Sequence, residues 1–285
     1  MLGHQLWQTC SIQFDTWATV RQELASYPPD GLVDPARAVP AVTVEHPDSV
    51  ARALDAVQPD VVVNAVGLVK QLPLGSDAVA NLTINALFPQ QLARLAAARG
   101  VRTIQISTDC VFAGKTGRYT EADTPDATDL YGRTKLLGEL GGEGLTLRTS
   151  IIGRELRSAH GVVEWFLRQR GGQVQGYTQA FFSGVTTRVL AEAIAFIVRE
   201  YPALAGLYHV AAERLSKFDL LVLLDEAFAT RTTITPDAAV AIDRSLSGER
   251  FHRATGWVAP SWPDMIANLA AEREPSARWR DRVEV

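Results

Sequence analysis

An α/β fold built on a doubly wound parallel sheet, with a smaller C-terminal lobe, is what this sequence predicts, and three features predict it. Short apolar runs alternate with helical patterns through the first half of the chain, as they do where helices cover both faces of a parallel sheet. One of those runs, Val61-Val62-Val63, is an unbroken β-branched stretch, which suits a strand buried on both faces. Beyond Ile152 the alternation weakens, so the second half is expected to form a unit of another kind.

In chain order, the second strand of such a sheet is expected near Trp17-Ala18-Thr19-Val20-Arg21. A helix follows from Ser49 to Val57, then the strand Val61 to Ala65, introduced by Pro59-Asp60. A longer helix is expected from Asp77 to Arg99, where Leu82, Leu87, Leu92 and Leu95 fall near helical spacing, and Gly100 closes it. The strand Thr103 to Ser107 comes next, then a polar loop and a helix opening near Leu130 and ending in Gly141-Gly142-Glu143-Gly144. The strand Leu145 to Arg148 completes the regular part. Later helical patterns lie at about Gly161 to Arg170, Thr187 to Arg199 and Lys217 to Ala229, with a short apolar run at Leu207-Tyr208-His209-Val210. The charged segment from Glu272 to Val285 is expected to fray.

The chain has 285 residues, 47% of them hydrophobic, enough to bury a substantial core. A net charge of -4 and a pI near 5.8 leave no electrostatic footprint for nucleic acid. Two cysteines, Cys10 and Cys110, are too few for a disulfide framework or a metal cage and fit a reducing compartment. The histidines His4, His46, His160, His209 and His252 show no metal-ligand spacing, so no metal is expected. No apolar run approaches the roughly 20 residues that span a bilayer, and the N-terminus lacks the order of a signal peptide. A cytoplasmic protein with no membrane contact is the expectation.

Tyr131 and Lys135 stand four residues apart at the start of the helix near Leu130, so both project from one face about one turn apart. A nearby cation favours the phenolate and lowers a pKa that is ordinarily about 10, which makes Tyr131 a usable acid or base. Thr108 lies just past a strand, where the open ends of parallel strands meet their ligands, and its hydroxyl can orient a carbonyl. By itself such a pair is weak, and a solvated helix face explains it equally well.

The surroundings sharpen it. Ser107-Thr108-Asp109-Cys110-Val111-Phe112, then Gly114, Tyr119, Glu121, Asp123, Leu130-Tyr131-Gly132-Arg133-Thr134-Lys135 and Gly138-Glu139 together resemble the dTDP-4-dehydrorhamnose reductase family of extended short-chain dehydrogenases. Asn64-Ala65, Ile84-Asn85-Ala86 and Arg148-Thr149-Ser150 fall in the matching order. The resemblance is close over about residues 50 to 155 and loose elsewhere. It implies a Rossmann-like unit at 1–152 and a substrate-binding lobe at 153–271, some of it returning to the main sheet. It also implies reduction of a 4-keto nucleotide-sugar for cell-surface polysaccharide synthesis. Tyr131 would deliver the proton, Lys135 bind the nicotinamide ribose and Thr108 hold the carbonyl. Asn64, Ala65, Val66 and Gly67 would line the cofactor, with Asn85 supporting the site or serving only inside its helix. Asp109, Cys110, Val111, Thr149 and Ser150 would lie beside the substrate. Arg244, in Asp243-Arg244-Ser245-Leu246, would grip a diphosphate or remain a solvated charge. Whether the enzyme is a homodimer stays open.

One departure carries information. Related 4,6-dehydratases resemble this pattern but carry an acidic pair after the Thr, and here Cys110 follows Asp109. That argues for simple reduction over dehydration. Family reductases usually have Tyr where Cys110 stands. A catalytic thiol is not expected, because no His neighbours it in sequence to activate it.

A sheet of this kind begins with a strand and a glycine-rich turn whose backbone approaches a pyrophosphate. Here Met1-Leu2-Gly3 resembles the end of that turn, which assigns Leu2 and Gly3 to the cofactor and leaves the first strand and earlier glycines out of the chain as given. The segment ending at Arg21 lacks the acidic residue that would bond a ribose 2'-hydroxyl. Arg21 would meet a 2'-phosphate, which favours NADP over NAD, or is simply solvated. Gly114-Lys115-Thr116 is rejected as a phosphate loop, because Asp109 stands where a glycine is required. Trp262 is expected in the core. Two rival readings are a non-catalytic subunit like the regulatory partner of methionine adenosyltransferase, and a nucleotide-sugar epimerase.

Overall fold

The computed structural model describes residues 1–28, 32, 34–142, 144–156 and 159–272. The first half contains α1 (Leu2–Cys10), β1 (Ala18–Thr19), β2 (Ala38–Val39), α2 (Pro47–Val57), β3 (Val61–Asn64), α3 (Ala78–Asn81), α4 (Phe88–Ala97), β4 (Arg102–Thr108), α5 (Leu130–Leu137) and β5 (Leu145–Thr149). The second half adds β6 (Ile151–Ile152), α6 (Val162–Leu167), β7 (Gln173–Tyr177), β8 (Ala180–Phe182), β9 (Val185–Thr186), α7 (Thr187–Glu200) and β10 (Gly206–His209). It closes with β11 (Leu215–Ser216), α8 (Lys217–Phe228), β12 (Thr233–Asp237), β13 (Ile242–Asp243), α9 (Glu249–Thr255) and α10 (Trp262–Ala271).

The main sheet is parallel throughout, in the order β10-β5-β4-β3. Its residues alternate between two apolar layers, as strand geometry requires. On one face Ile104, Ile106, Leu145 and Leu147 join Leu2 and Leu6 of α1 and Leu190 and Ile194 of α7, with Val61 and Val63 against them. On the other face Val62 meets Val50, Leu54, Phe88 and Leu92 of α2 and α4. Helices therefore cover both faces, as the alternation predicts.

Three boundaries differ from the sequence expectation. The three valines of β3 are only half-buried, because β3 is the edge of its sheet and pairs with β4 alone. The strand expected near Trp17 to Arg21 shrinks to Ala18–Thr19, paired in parallel with Ala38–Val39 as a separate two-stranded sheet. The helix after Leu130 ends at Leu137 rather than at Gly141 to Gly144. Gly138 packs there so closely that a Cβ would lie 2.0 Å from the Asn85 carbonyl oxygen.

The long helix expected over 77–99 runs without a break, but its middle, Leu82–Leu87, is a π-turn between α3 and α4. Gly100 ends it with φ +71, the left-handed conformation that glycine adopts at little cost. In the second half β10 returns to the main sheet beside β5. The remaining strands form small sheets, β11-β8-β13, β12-β7 and β6-β9. Trp262 is 4% exposed and donates its indole N–H to the Glu213 carbonyl, a core position as expected.

Candidate active site

The site forms where β4 ends. Thr108, its last residue, is buried, and its hydroxyl accepts the Cys110 N–H at 3.1 Å and donates to Asp109 Oδ1 at 3.2 Å. That N-cap starts the short turn Asp109–Val111 and fixes the hydroxyl at the open end of the strand. Helix α5 opens behind its own cap, with the Asp129 carboxylate accepting the Gly132 N–H at 2.9 Å. Gly132 lets the helix lie against the turn, since a Cβ there would stand 2.2 Å from the Cys110 carbonyl oxygen and 2.7 Å from Ala127 Cβ. This close approach puts the Tyr131 phenol within hydrogen-bonding reach of Thr108.

Lys135, one turn further on, is 6% exposed and donates from Nζ to the Ile106 carbonyl at 2.7 Å. Thr108, Tyr131 and Lys135 are thus gathered round the last three residues of one strand.

Electrostatics separate the two titratable members. Burial pushes the Tyr131 phenol well above its ordinary range, Cys110 and Asp109 add to this, and the Thr108 hydrogen bond opposes it. Burial pulls Lys135 down to about 8, against the upward pull of Glu139. The expected lowering of the phenol by Lys135 is therefore outweighed here: desolvation dominates, and the ammonium is bonded to a backbone carbonyl. A second cation, Lys70, lies 5.6 Å from the centre of the Tyr131 ring. Burial also drives the Cys110 thiol up to about 12, helped by Asp109, so the inert thiol expected from the sequence is what the surroundings enforce. Burial raises the Asp109 carboxyl, while Lys217 and Arg244 pull the other way.

The loop after β3 forms an open lip beside this cluster. Asn64 is locked by Gln105, donating to Oε1 at 2.7 Å, and its own Oδ1 accepts the Val66 N–H at 3.0 Å. Ala65, Val66 and Gly67 are exposed. A Cβ on Gly67 would come 3.9 Å from Lys135 Nζ, so the ammonium, which spends one proton on Ile106, directs the rest of its capacity toward the lip. That arrangement fits the hydroxyls of a nicotinamide ribose. Nearby, Thr149 is buried and Ser150 half-buried, its carbonyl pressed by Gly184. Arg244 donates from Nε to the Phe112 carbonyl at 2.9 Å, and its charge reaches Asp109 and Cys110.

Several assignments change. The Leu2 side chain is 6% exposed and belongs to the core, which leaves only its backbone for a ligand. Val111 is fully buried with Phe112, Tyr119 and Leu246, so its side chain is committed to that apolar cluster. Asn85 pairs with the backbone of Leu68 in both directions at 2.9 Å, so it acts on the lip loop and presents no free group to a ligand. Gly3 and Arg21 are exposed, and a Cβ on Gly3 would meet nothing within 4 Å.

A family model described as the RmlD substrate binding domain matches residues 2–274. The chain belongs to that family. Among its relatives, the dTDP-4-dehydrorhamnose reductase of Escherichia coli K12 is 26% identical over 251 residues, covering 80% of this chain and 84% of that protein. Methionine adenosyltransferase 2 subunit beta of Rattus norvegicus is 48% identical over 63 residues, 22% of this chain and 18% of that one. The solved dTDP-4-dehydrorhamnose reductase of Bacillus anthracis strain Ames, in complex with NADP, shares the fold. Its TM-score is 0.74 at 18% identity, over 89% of this chain and 97% of that one.

Within this member of the RmlD family, three charged residues near the site escaped the sequence reading. Lys70 pairs with Asp129 at 2.8 Å above Tyr131. Lys217 opens α8 with its ammonium 3.7 Å from the centre of the Phe182 ring and faces Asp109 and Cys110. Glu139 reaches inward to Ser107 and Arg148. Only Glu139 had a signal, its place in the Gly138-Glu139 pair; Lys70 and Lys217 sit where no periodicity marks them.

Proposed function

We propose that this chain is an NADP-dependent reductase of a 4-keto nucleotide-sugar, dTDP-4-dehydrorhamnose or a close relative, acting in cell-surface polysaccharide synthesis in the cytoplasm. The observation that carries the reading is the gathering of Thr108, Tyr131 and Lys135 at the end of β4. Residues 1–152 hold the cofactor in this reading, and the substrate lobe is built from 153–271. No described helix is long and apolar enough to cross a membrane.

The chemistry follows from the side chains. A bound nicotinamide dinucleotide would supply hydride to the carbonyl carbon. Lys135 and the exposed lip Ala65–Gly67 would hold its ribose and nicotinamide, and the first turn of α1, which has no side-chain cap, leaves N–H groups free for a phosphate. Thr108 orients the substrate oxygen with its hydroxyl. Tyr131, kept protonated by burial, donates its phenolic proton to that oxygen as charge develops on it. The raised phenol is suited to the donor role: it reaches the cleft with its proton in place. Lys217 and Arg244 face the Asp109–Cys110 turn from the second half of the chain and offer positive charge to the substrate.

The test is turnover of NADPH with dTDP-4-dehydrorhamnose, followed by absorbance, in the chain and in Tyr131→Phe. The expected loss in kcat is about 10²- to 10⁴-fold; equal turnover would exclude the proton donor. The local identity to the methionine adenosyltransferase beta subunit favours one second reading, a non-catalytic regulatory subunit. Cofactor binding by fluorescence titration without any turnover, together with capture of a methionine adenosyltransferase catalytic subunit, would decide for it.

A further inference from the structure

Behind the candidate site one carboxylate faces two buried cations. Glu139 follows α5, one turn beyond Lys135, and its backbone is fixed by Glu139 N–H to the Leu136 carbonyl at 3.1 Å and by Gln90 Nε2 to its own carbonyl at 3.0 Å. The side chain turns inward and is 11% exposed, against 3% for its partner Arg148. Oε1 accepts from Ser107 Oγ at 2.6 Å and from Arg148 Nε at 2.7 Å, and Oε2 accepts from Arg148 Nη2 at 2.8 Å. Ser107 lies between Ile106, whose carbonyl receives the Lys135 ammonium, and Thr108. A single carboxylate thus joins α5, β4 and β5 at the point where all three candidate catalytic side chains are set.

We propose that Glu139 is a positioning residue, which keeps Lys135 charged and holds the Ser107–Thr108 strand end in place. This rests on the reading of Lys135 as the cation that serves the reaction.

The charge balance supports it. Lys135 and Arg148 are the buried cations on either side of Ser107, from α5 and β5. His209, on β10, stands 3.4 Å from Arg148 Nη1 through its Nε2, and burial and Arg148 hold it down to about 4, so it is neutral. Glu121 accepts the His209 N–H at 2.7 Å, and burial raises its carboxyl while Arg148 pulls the other way. Tyr131, on the same helix, is protonated, and Asp109 lies beyond Thr108 with its carboxyl raised by burial. Glu139 is therefore the carboxylate whose attraction works against the desolvation of Lys135. Without it, burial would act unopposed to strip the ammonium of its proton.

The experiment reads Lys135 directly in the full chain. Acetylation of Lys135 is followed by mass spectrometry across pH, since only the neutral amine reacts. Glu139→Gln, which keeps the shape and removes the charge, should move the midpoint down by about one unit and speed acetylation at pH 7 about fivefold. Arg148→Gln, which frees Glu139 to serve Lys135 alone, should move it up and slow the reaction. Glu139→Asp should restore a midpoint near that of the parent. An unchanged midpoint in both charge-removing variants, or an upward move in Glu139→Gln, overturns the proposal; if Glu139→Gln does not fold, Arg148→Gln alone decides it by the sign of its shift. The alkaline limb of kcat/KM is measured alongside. A midpoint that moves while that limb stays put upholds the role of Glu139 and removes Lys135 from the reaction.

Discussion

The Lys70 ammonium lies 2.8 Å from the Asp129 carboxylate, and the same carboxylate accepts the Gly132 N–H at 2.9 Å. One side chain caps the helix that carries Tyr131 and ties it to the loop after β3. These two bonds are unequal in worth. Loss of an N-cap costs about 1 kcal/mol, whereas an exposed ion pair gives between 0 and about 1. Asp129→Ala should lower the melting temperature by roughly 2–5 °C in scanning fluorimetry, and Lys70→Met by less. Although partial burial opposes it, the Gly132 N–H and Lys70 hold the Asp129 carboxyl below its usual range. The difference between parent and Asp129→Asn should therefore be present above about pH 4 and fade as the solution becomes more acidic.

Lys135 gives a slope of the same sign on the alkaline side. Burial lowers it to about 8 in the folded chain, against about 10.4 unfolded. Between these values the unfolded chain holds the extra proton, so stability rises with pH across that window. Below pH 8 both states are charged and the slope vanishes. Urea unfolding at pH 7.5 and 9.5 should show the parent gaining on Lys135→Met, by at most about 3 kcal/mol over the whole window. Activity should move the other way, with kcat/KM falling above about pH 8 as the ammonium is lost.

Gly132 tests the packing of α5. A methyl at this position would collide with the Cys110 carbonyl, at 2.2 Å, on the backbone of the turn itself. Gly132→Ala should therefore separate helix from turn, costing about 1–3 kcal/mol and parting Tyr131 from Thr108. The expected result is a loss of turnover larger than the loss of folded protein, measured on the same preparation at a temperature well below its melting point.

Cys110 should be chemically quiet. With its thiol pushed to about 12 by burial and by Asp109, iodoacetamide should modify it far more slowly at pH 7.5 than a small free thiol. Cys110→Ser should retain turnover within about threefold. Rapid alkylation accompanied by inactivation would place the thiol at the reaction.

The parts of this site that were legible in the sequence are those fixed by local geometry. Tyr131 and Lys135 share a face because α5 is a helix, and Thr108 meets them because β4 is a strand that ends there. What escaped depends on contacts between distant segments. Leu2 and Val111 adjoin functional positions, yet their side chains turn into the core, and spacing along the chain does not reveal which way a terminal residue points. The end of α5 at Gly138 is set by Asn85, from another helix. Lys217 reaches the Asp109 turn from more than a hundred residues away. The valines of β3 read as fully interior, but burial of a strand depends on its neighbours as well as on its own side chains.

The π-turn at Leu82–Leu87 makes the site sensitive to a change of one residue in length. A π-turn accommodates one residue more than an α-helical turn does, so shortening this stretch by one would let an ordinary helix run straight through. The helix on either side would keep its register, and the change would be confined to the turn itself. Asn85, which lies inside the turn, would be displaced, and the loop it clasps at Leu68 would lose its footing. A chain with such a deletion should still look helical by circular dichroism while its lip beside Lys135 comes loose.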